Sequence, residues 1–365
     1  MRLLFVIYGS LDQISGGYLY DRKVIEYLRE QGAGVDLLQL PVLPYLLCPL
    51  HAFHPPLRRL FQGPGAGGGY DCIILDELTH PSVFLSVARR EDNCPPVVVL
   101  LHHLKSQERI GRLQRILARI MERRLLSRSD AVVVNSRTTE ITVRRLVAVD
   151  VPVYICPPGS DTFSDTPARE LPAEDRGGLL PSETTARLLI TGNIIARKGH
   201  DRLIRILGGL SDLSWELWIV GAAVDARYKR KVDRLARRLG LVERIRYTGV
   251  LSGFALRKQY LHADVFVFPS RYEGFGISLA EAIRAGLPFV AFASGAIPEV
   301  TGGQGLLVPE GDCESFQAHL RRLIADPVSR ERSVELSRRL AARLPTWRST
   351  GEAFSQALKG ITGNG

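Results

Sequence analysis

The sequence predicts an α/β protein made of two Rossmann-like halves facing a cleft, and three observations lead there. Short apolar, β-branched runs alternate with helix-period segments, the rhythm of a parallel sheet covered by crossover helices. These runs fall into two series separated by a stretch with no apolar period. At 365 residues the chain also exceeds the size at which one core usually keeps growing, so two domains are the default.

Arg2–Tyr8 opens the first series. The start MRLLFVIYGS carries one charge and a short apolar run but passes at once into glycine and polar residues, so it reads as a strand rather than a signal peptide. Val35–Leu40, Asp71–Leu75, Val97–Leu101, Ala131–Asn135 and Val153–Cys156 follow as strands, giving an N-terminal domain over residues 1–160. Residues 161–185, within SDTFSDTPARELPAEDRGGLLPSETT, are rich in Pro, Ser, Thr and acids and form the expected linker. Arg187–Thr191, Trp215–Val220, Ile245–Thr248, Asp264–Pro269 and Pro288–Ala291 supply a second sheet, in a C-terminal domain over residues 186–345. Open α/β sheets bind ligands beyond the carboxyl ends of their strands, so the loops that follow these runs are where chemistry is expected.

Two stretches stand outside the rhythm. Pro41–Phe61 is apolar but interrupted by five prolines, which predicts a poor helix and offers either an irregular packed loop or a surface for a greasy acceptor. From Arg109 to Arg128 a helical pattern carries seven arginines, with Ile110, Leu113, Ile116, Leu117, Ile120, Leu125 and Leu126 as its apolar side. Such a helix either packs on a sheet or lies on anionic lipid.

The formal charge of +10 is unevenly placed: residues 1–180 hold 21 Lys+Arg against 20 Asp+Glu, and the remainder hold 27 against 18. Much of the surplus lies in Asp225–Gly240, where Val232, Leu235, Ala236 and Leu239 recur at helical spacing, as on a helix with a solvated basic face. No nucleic-acid motif or aromatic-interleaved basic groove accompanies it, so nucleic acid is not expected as a partner. Cys48, Cys72, Cys94, Cys156 and Cys313 are odd in number, scattered and without a CxxC pair, which argues for a reducing compartment and against zinc or a disulfide framework. No apolar run reaches transmembrane length.

The chemistry concentrates after two strands of the second series. EGFGISLAE, Glu273–Glu281, follows the run ending at Pro269 and leads into LAEAIRAG. A strand, a glycine-containing loop and a helix start aim free backbone N–H groups and a positive helix end at an anion. GNIIARKG, Gly192–Gly199, follows RLLIT and precedes HDRLIRIL; Gly192 permits close backbone approach to a ligand and Lys198 offers a cation for a phosphate.

GNIIARKG followed by EGFGISLAEAIRAGLPFVA and SGAIPEV resembles the donor domain of the retaining GT-B glycosyltransferases of the family 4 type, the group 1 glycosyl transferases. Gly16-Gly17 after the first strand, His102 at the end of VVVLL, SDAVVVNS ending at Ser136, and CPPGSD agree with that family's N-terminal half. PTWRSTGEAFSQAL resembles its closing helix, expected at about 346–360 and expected to return to the N-terminal domain. The resemblance covers nearly the whole chain and implies a GT-B fold.

It also implies roles. Glu281 would accept hydrogen bonds from the ribose of a nucleotide diphosphate sugar, and the backbone around Phe275, Gly276, Ile277 and Ser278 would cap the diphosphate. Lys198 would add charge there, Gly192 and Asn193 would line the same site, and Gly17 would bring N–H groups from the other domain. Glu273 would hold the donor sugar and favour positive charge at its anomeric carbon. His102 would meet the sugar or the leaving diphosphate, with the adjacent His103 as the alternative. Asn193 stands where arginine is frequent in the family; losing that bond to phosphate would cost about 1.5–3 kcal/mol, and Arg197 is placed to compensate.

The activity implied is retaining transfer of a sugar, from a UDP- or GDP-sugar foremost, to a hydroxyl of a glycan, lipid or small-molecule acceptor. The nucleotide sugar is a co-substrate, no further cofactor is implied, and no Asp-x-Asp pair calls for a metal. A non-catalytic nucleotide-sugar binder and a GT-B epimerase or phosphorylase remain the rival readings. A cytoplasmic protein is expected, with peripheral contact to the anionic inner membrane face left open by Pro41–Phe61 and the arginine helix.

Overall fold

A computed structural model describes residues 1–62, 67–108, 110–147, 150–162 and 185–363. The linker expected at 161–185 lies, apart from residues 161, 162 and 185, outside the described residues. The chain divides into two compact units, Met1–Pro158 joined by Trp347–Gly365, and Gly159–Thr346.

The first unit is built on β1 (Arg2–Tyr8), β2 (Gly34–Leu40), β3 (Cys72–Asp76), β4 (Val97–Leu101), β5 (Ala131–Val134) and β6 (Val153–Ile155), in the order β2-β1-β3-β4-β5-β6. All neighbours pair in parallel. Such strands are covered on both faces, which explains why β3, β4 and β5 read as unbroken apolar runs and are buried throughout. The helix Gly16–Glu30 buries Tyr18, Tyr20, Asp21, Val24, Ile25 and Leu28 along one side. The helix Trp347–Thr362 packs against it: Phe354 is fully buried and stacks on Phe5 at 6.4 Å between ring centroids.

Pro41–Phe61 is more regular than its prolines suggest. It forms a 3₁₀ helix, Tyr45–Phe53, which tolerates Pro49, and a short α-helix, Pro55–Phe61, whose two prolines occupy first-turn positions that lack an intrahelical acceptor anyway. The arginine segment is helical over Arg112–Leu126, but its apolar side divides. Ala118, Met121, Leu125 and Leu126 are buried, whereas Leu113, Ile116 and Ile120 face solvent.

The second unit is built on β7 (Ala186–Thr191), β8 (Trp215–Val220), β9 (Ile245–Gly249), β10 (Val265–Phe268), β11 (Phe289–Phe292) and β12 (Leu306–Val308), ordered β12-β11-β10-β7-β8-β9, again all parallel. This is the doubly wound order of a dinucleotide-binding fold. The three-residue β12, following Gly305, is the strand that the apolar runs did not announce. The basic helix Ala226–Arg238 buries Tyr228, Val232 and Ala236 and exposes its arginines. All five cysteines are free. Among the described residues, no helix is long and apolar enough to cross a membrane.

Candidate functional site

In the second sheet the strand order reverses between β7 and β10, which are neighbours although β8 and β9 intervene in sequence. A crevice opens at such a point because the flanking crossovers lie on opposite faces. The loops leaving these two strands are Gly192–Gly199 and the segment before helix Ile277–Arg284, the two motifs singled out above. Arg271 N–H donates to Arg197 O at 2.8 Å and ties them together.

The side chains converge as well. Lys198 Nζ lies 2.9 Å from Glu273 Oε1, and Arg197 Nη1 donates to Glu273 Oε2 at 2.9 Å. Burial alone would raise the Glu273 carboxyl, but the charges of Lys198 and Arg197 hold it down to about 2. Burial also draws Lys198 below its usual value, against the opposing pull of Glu273. Gly192 leaves room for this lysine, since a Cβ there would stand 3.1 Å from Lys198 Cε. Asn193 follows it and contributes its carbonyl to a turn, accepting from Ile195 N–H at 2.9 Å.

Gly276 caps helix Ile277–Arg284 at φ +101°, where a Cβ would meet Ile297 Cδ1 at 2.6 Å, so both conformation and space call for glycine. Leu279 and Ala280 donate to Gly276 O, leaving the N–H groups of Ile277 and Ser278 beyond reach of any intrahelical carbonyl. Ser278 Oγ is buried with no hydrogen-bond partner among the described residues, and Phe275, three positions earlier, is buried too. One turn further on, Glu281 is buried; Tyr260 OH donates to its Oε2 at 2.9 Å and Thr162 Oγ1 to its Oε1 at 3.1 Å. Burial lifts Glu281 to about 7 in spite of these bonds and the charge of Lys198. An orphaned hydroxyl, two open amides and a lysine make an anion site; the adjoining carboxylate already accepts from hydroxyl donors.

The first sheet reverses order between β1 and β3, and its candidate residues lie at the equivalent strand ends. Gly17 lies in the first turn of helix Gly16–Glu30, and a Cβ there would press on His102 Cδ2 at 3.0 Å. His102 follows β4 with Nε2 3.1 Å from Asp21 Oδ1 and 3.5 Å from Asp76 Oδ2. Burial would lower His102, but Asp21 and Asp76 together hold it well above its usual value. His103 points elsewhere: its Nδ1 lies 2.9 Å from Glu77 and its Nε2 2.8 Å from Glu108.

Lys198, Glu273, Gly276 and Glu281, which the sequence assigned to one donor site, lie together here, and Gly17 and His102, which it placed separately in the N-terminal half, meet. Sequence reasoning missed Tyr260, Asp21 and Asp76. Asp21 carried a signal: it occupies the apolar stripe of its helix with Val24, Ile25 and Leu28, where an acid is out of place unless partnered.

Residues 173–340 match the family model described as glycosyl transferases group 1, and residues 17–159 match the glycosyl transferase 4-like domain. The chain belongs to the group 1 glycosyl transferases. Among its relatives in the family are a GDP-mannose-dependent alpha-(1-6)-phosphatidylinositol monomannoside mannosyltransferase of Mycolicibacterium smegmatis, 30% identical over 67% of this chain and 65% of that one. Another is a D-inositol 3-phosphate glycosyltransferase of Xylanimonas cellulosilytica, 29% identical over 66% of this chain and 60% of that one. The matched stretch thus spans under two thirds of either relative's length. Solved structures place this group 1 chain in the GT-B fold. Sucrose-phosphate synthase from Thermosynechococcus elongatus covers 100% of both chains at a TM-score of 0.81 and 22% identity. The lipopolysaccharide-biosynthesis glycosyltransferase WaaG covers 99% of this chain and 100% of its own at a TM-score of 0.74 and 20% identity.

Proposed function

We propose that this chain moves a glycosyl group from a nucleoside diphosphate sugar to an acceptor hydroxyl with retention of anomeric configuration. The observation that carries the reading is the convergence of Lys198, the open amides of Ile277 and Ser278, and Glu273 and Glu281 at one strand-order reversal. Each part fits one part of such a donor. The amides and Lys198 receive the diphosphate. Glu281 receives ribose hydroxyls, the bond that the Thr162 hydroxyl makes in this structure. Glu273, kept ionised by Lys198 and Arg197, faces the sugar and favours positive charge at its anomeric carbon. Arg197 supplies a cation where Asn193 does not.

His102 is assigned to the sugar or the leaving diphosphate in preference to His103, both of whose nitrogens are committed to carboxylates. In the transfer, the bond from the anomeric carbon to the diphosphate oxygen breaks, a bond to the acceptor oxygen forms on the same face, and the acceptor proton passes to the departing diphosphate. Lys198 and the amides neutralise that leaving group, the task a divalent cation performs elsewhere. Activity undiminished by chelator is the corresponding expectation.

The name of the first relative supports a GDP-sugar donor, and the two names together support a lipid or polyol acceptor. An apolar surface in the N-terminal domain supports lipid. Phe53 and Leu113 are 74% and 71% exposed on two helices that both pack against helix His80–Ala88, and Arg112, Arg115 and Arg119 are exposed on the helix that carries Leu113. We read it as a peripheral contact with anionic membrane, where arginines meet headgroups and the apolar tips enter the interface.

A thermal-shift screen of nucleotide sugars, followed by nucleotide release measured with and without acceptor alcohols, tests the reading. Stabilisation by a UDP- or GDP-sugar and acceptor-dependent release are expected. Stabilisation with no product under any acceptor would instead make it a nucleotide-sugar binder, and acceptor-independent turnover would favour epimerisation or phosphorolysis. Sedimentation with anionic vesicles at low salt tests the membrane contact; failure to sediment removes it.

A further inference from the structure

Asp21, Asp76 and His102 form a buried cluster at the strand-order reversal of the first sheet, and nothing in the donor-binding motifs accounts for the two acids. Asp21 is fully buried and Asp76 is 1% exposed, and no lysine or arginine pairs with either among the described residues. Two carboxylates in that position would leave net negative charge in the interior, a state that proteins avoid by pairing or by proton uptake. Asp76 takes the second course in part: burial and the nearby Asp21 push it up to about 7. A neutral imidazole would still leave Asp21 uncompensated. An imidazolium between the two acids balances it.

The ring is fixed around this arrangement. Tyr20 meets it edge-on at 5.2 Å between centroids and is itself anchored by a 2.9 Å hydrogen bond from its hydroxyl to Cys156 O. Asn135 Nδ2 donates to His102 O at 2.7 Å, and the Cα of Gly17 lies against the ring. Asp76 Oδ1 accepts from Leu78 N–H at 2.9 Å, which fixes that carboxylate in turn. The remaining titratable groups that face the cluster are Glu77 and Tyr18, which feel the charges of His102 and of the two aspartates respectively. Nε2–H is therefore committed to Asp21 and Asp76. Nδ1 makes no hydrogen bond to a described residue and is not among the sealed, unpartnered atoms of the interior.

We propose that Asp21 and Asp76 are positioning residues that keep His102 an imidazolium, with Nδ1–H as its one uncommitted donor, aimed at an oxygen of the substrate. This rests on the reading of His102 as a substrate contact, and it deepens that reading: the histidine acts as a fixed cation and hydrogen-bond donor, and does not serve as a base. It is the N-terminal domain's counterpart to Lys198. Asp21 matters more than Asp76, because its contact is shorter and no other described residue donates to it.

The test is nitrogen-15 NMR of histidine-labelled full-length protein without donor, His102 being assigned through His102→Gln. Both ring nitrogens are expected to remain protonated at about pH 8, where a free imidazole is neutral. Asp21→Asn is expected to return the ring to the neutral form by that pH, and Asp21→Glu to keep it charged. In turnover assays Asp21→Asn is expected to lower kcat about 10- to 100-fold with donor KM within about twofold, and to bring the alkaline limb of the pH profile down. Asp76→Asn should shift the same limb less. A neutral His102 in the unmodified protein at pH 8 overturns the proposal, as does an imidazolium that persists in Asp21→Asn. Stoichiometric binding of zinc that Asp21→Asn abolishes would overturn it too, by making the cluster a cation site. Should Asp21→Asn fail to fold, the titration of the unmodified protein decides alone. A charged ring in a protein that transfers no sugar would refute the transferase reading and leave this one standing; a neutral ring in an active enzyme would do the reverse.

Discussion

Glu273 and Glu281, eight positions apart in sequence, are held at opposite ends of the carboxylate range, about 2 and about 7. Because Glu281 is raised, the folded protein holds a proton there that the unfolded chain has lost, so the stability it contributes declines as pH rises through about 7. Glu273 behaves oppositely: its ion pairs stabilise the fold above the ordinary carboxylate range and fail only as pH falls through about 2. A ribose hydroxyl donates better to an ionised carboxylate, so donor affinity should rise by about tenfold between pH 6 and 8, with proton release visible by calorimetry in buffers of different ionisation enthalpy. Glu281→Gln should abolish that dependence and weaken donor binding by about 1.5–3 kcal/mol. At this scale the motif residues were legible, because glycine spacing and acid position are properties of a contiguous segment. Tyr260 and Asp76 were not, since each matters through a partner on another element that only packing brings near.

The helix Ile277–Arg284 shows how an element turns a backbone detail into an anion site. Gly276→Ala places a side chain at positive φ and against Ile297, and should cost about 1–3 kcal/mol in urea unfolding while diminishing the thermal shift given by the donor. Lys198→Ala removes one of the two cations on Glu273 and the charge facing the leaving group, so kcat should fall while the protein keeps its fold through Arg197. Most strands were legible as apolar runs because both faces of a parallel sheet are covered. Leu306–Val308 was not, being too short between Gly305 and Pro309 to establish a pattern. The arginine helix illustrates a different limit. Periodicity grouped Leu113, Ile116 and Ile120 with Leu125 and Leu126, yet only the latter two meet the core: Ala118, Met121 and Leu125 recur along the buried face, and Leu113, Ile116 and Ile120 recur at the same spacing along another, exposed one.

For the molecule as a whole, two strand-order reversals set out two clusters of charge, and the basic surplus lies mainly outside both. Replacing Phe53 and Leu113 together with serine should reduce sedimentation with anionic vesicles while leaving turnover of a soluble acceptor unchanged, since neither touches the donor residues. The compact units do not follow chain order either, because helix Trp347–Thr362 belongs with the first. Phe354→Ala, made in a helix numbered with the second half, should destabilise the N-terminal domain by about 3–5 kcal/mol, read from the protection of amide hydrogens in Gly16–Glu30.

That helix also bears on how the protein is made. A ribosome delivers residues in order, and the domain that begins first lacks its closing helix until the domain that begins second has been synthesised. For that interval the nascent N-terminal sheet carries a bare apolar groove along Tyr27 and Phe5, the rings that Gly351 and Phe354 later cover. Its final folding step therefore waits until the second domain has been synthesised, and a chaperone that shields apolar surface has a defined window in which to act.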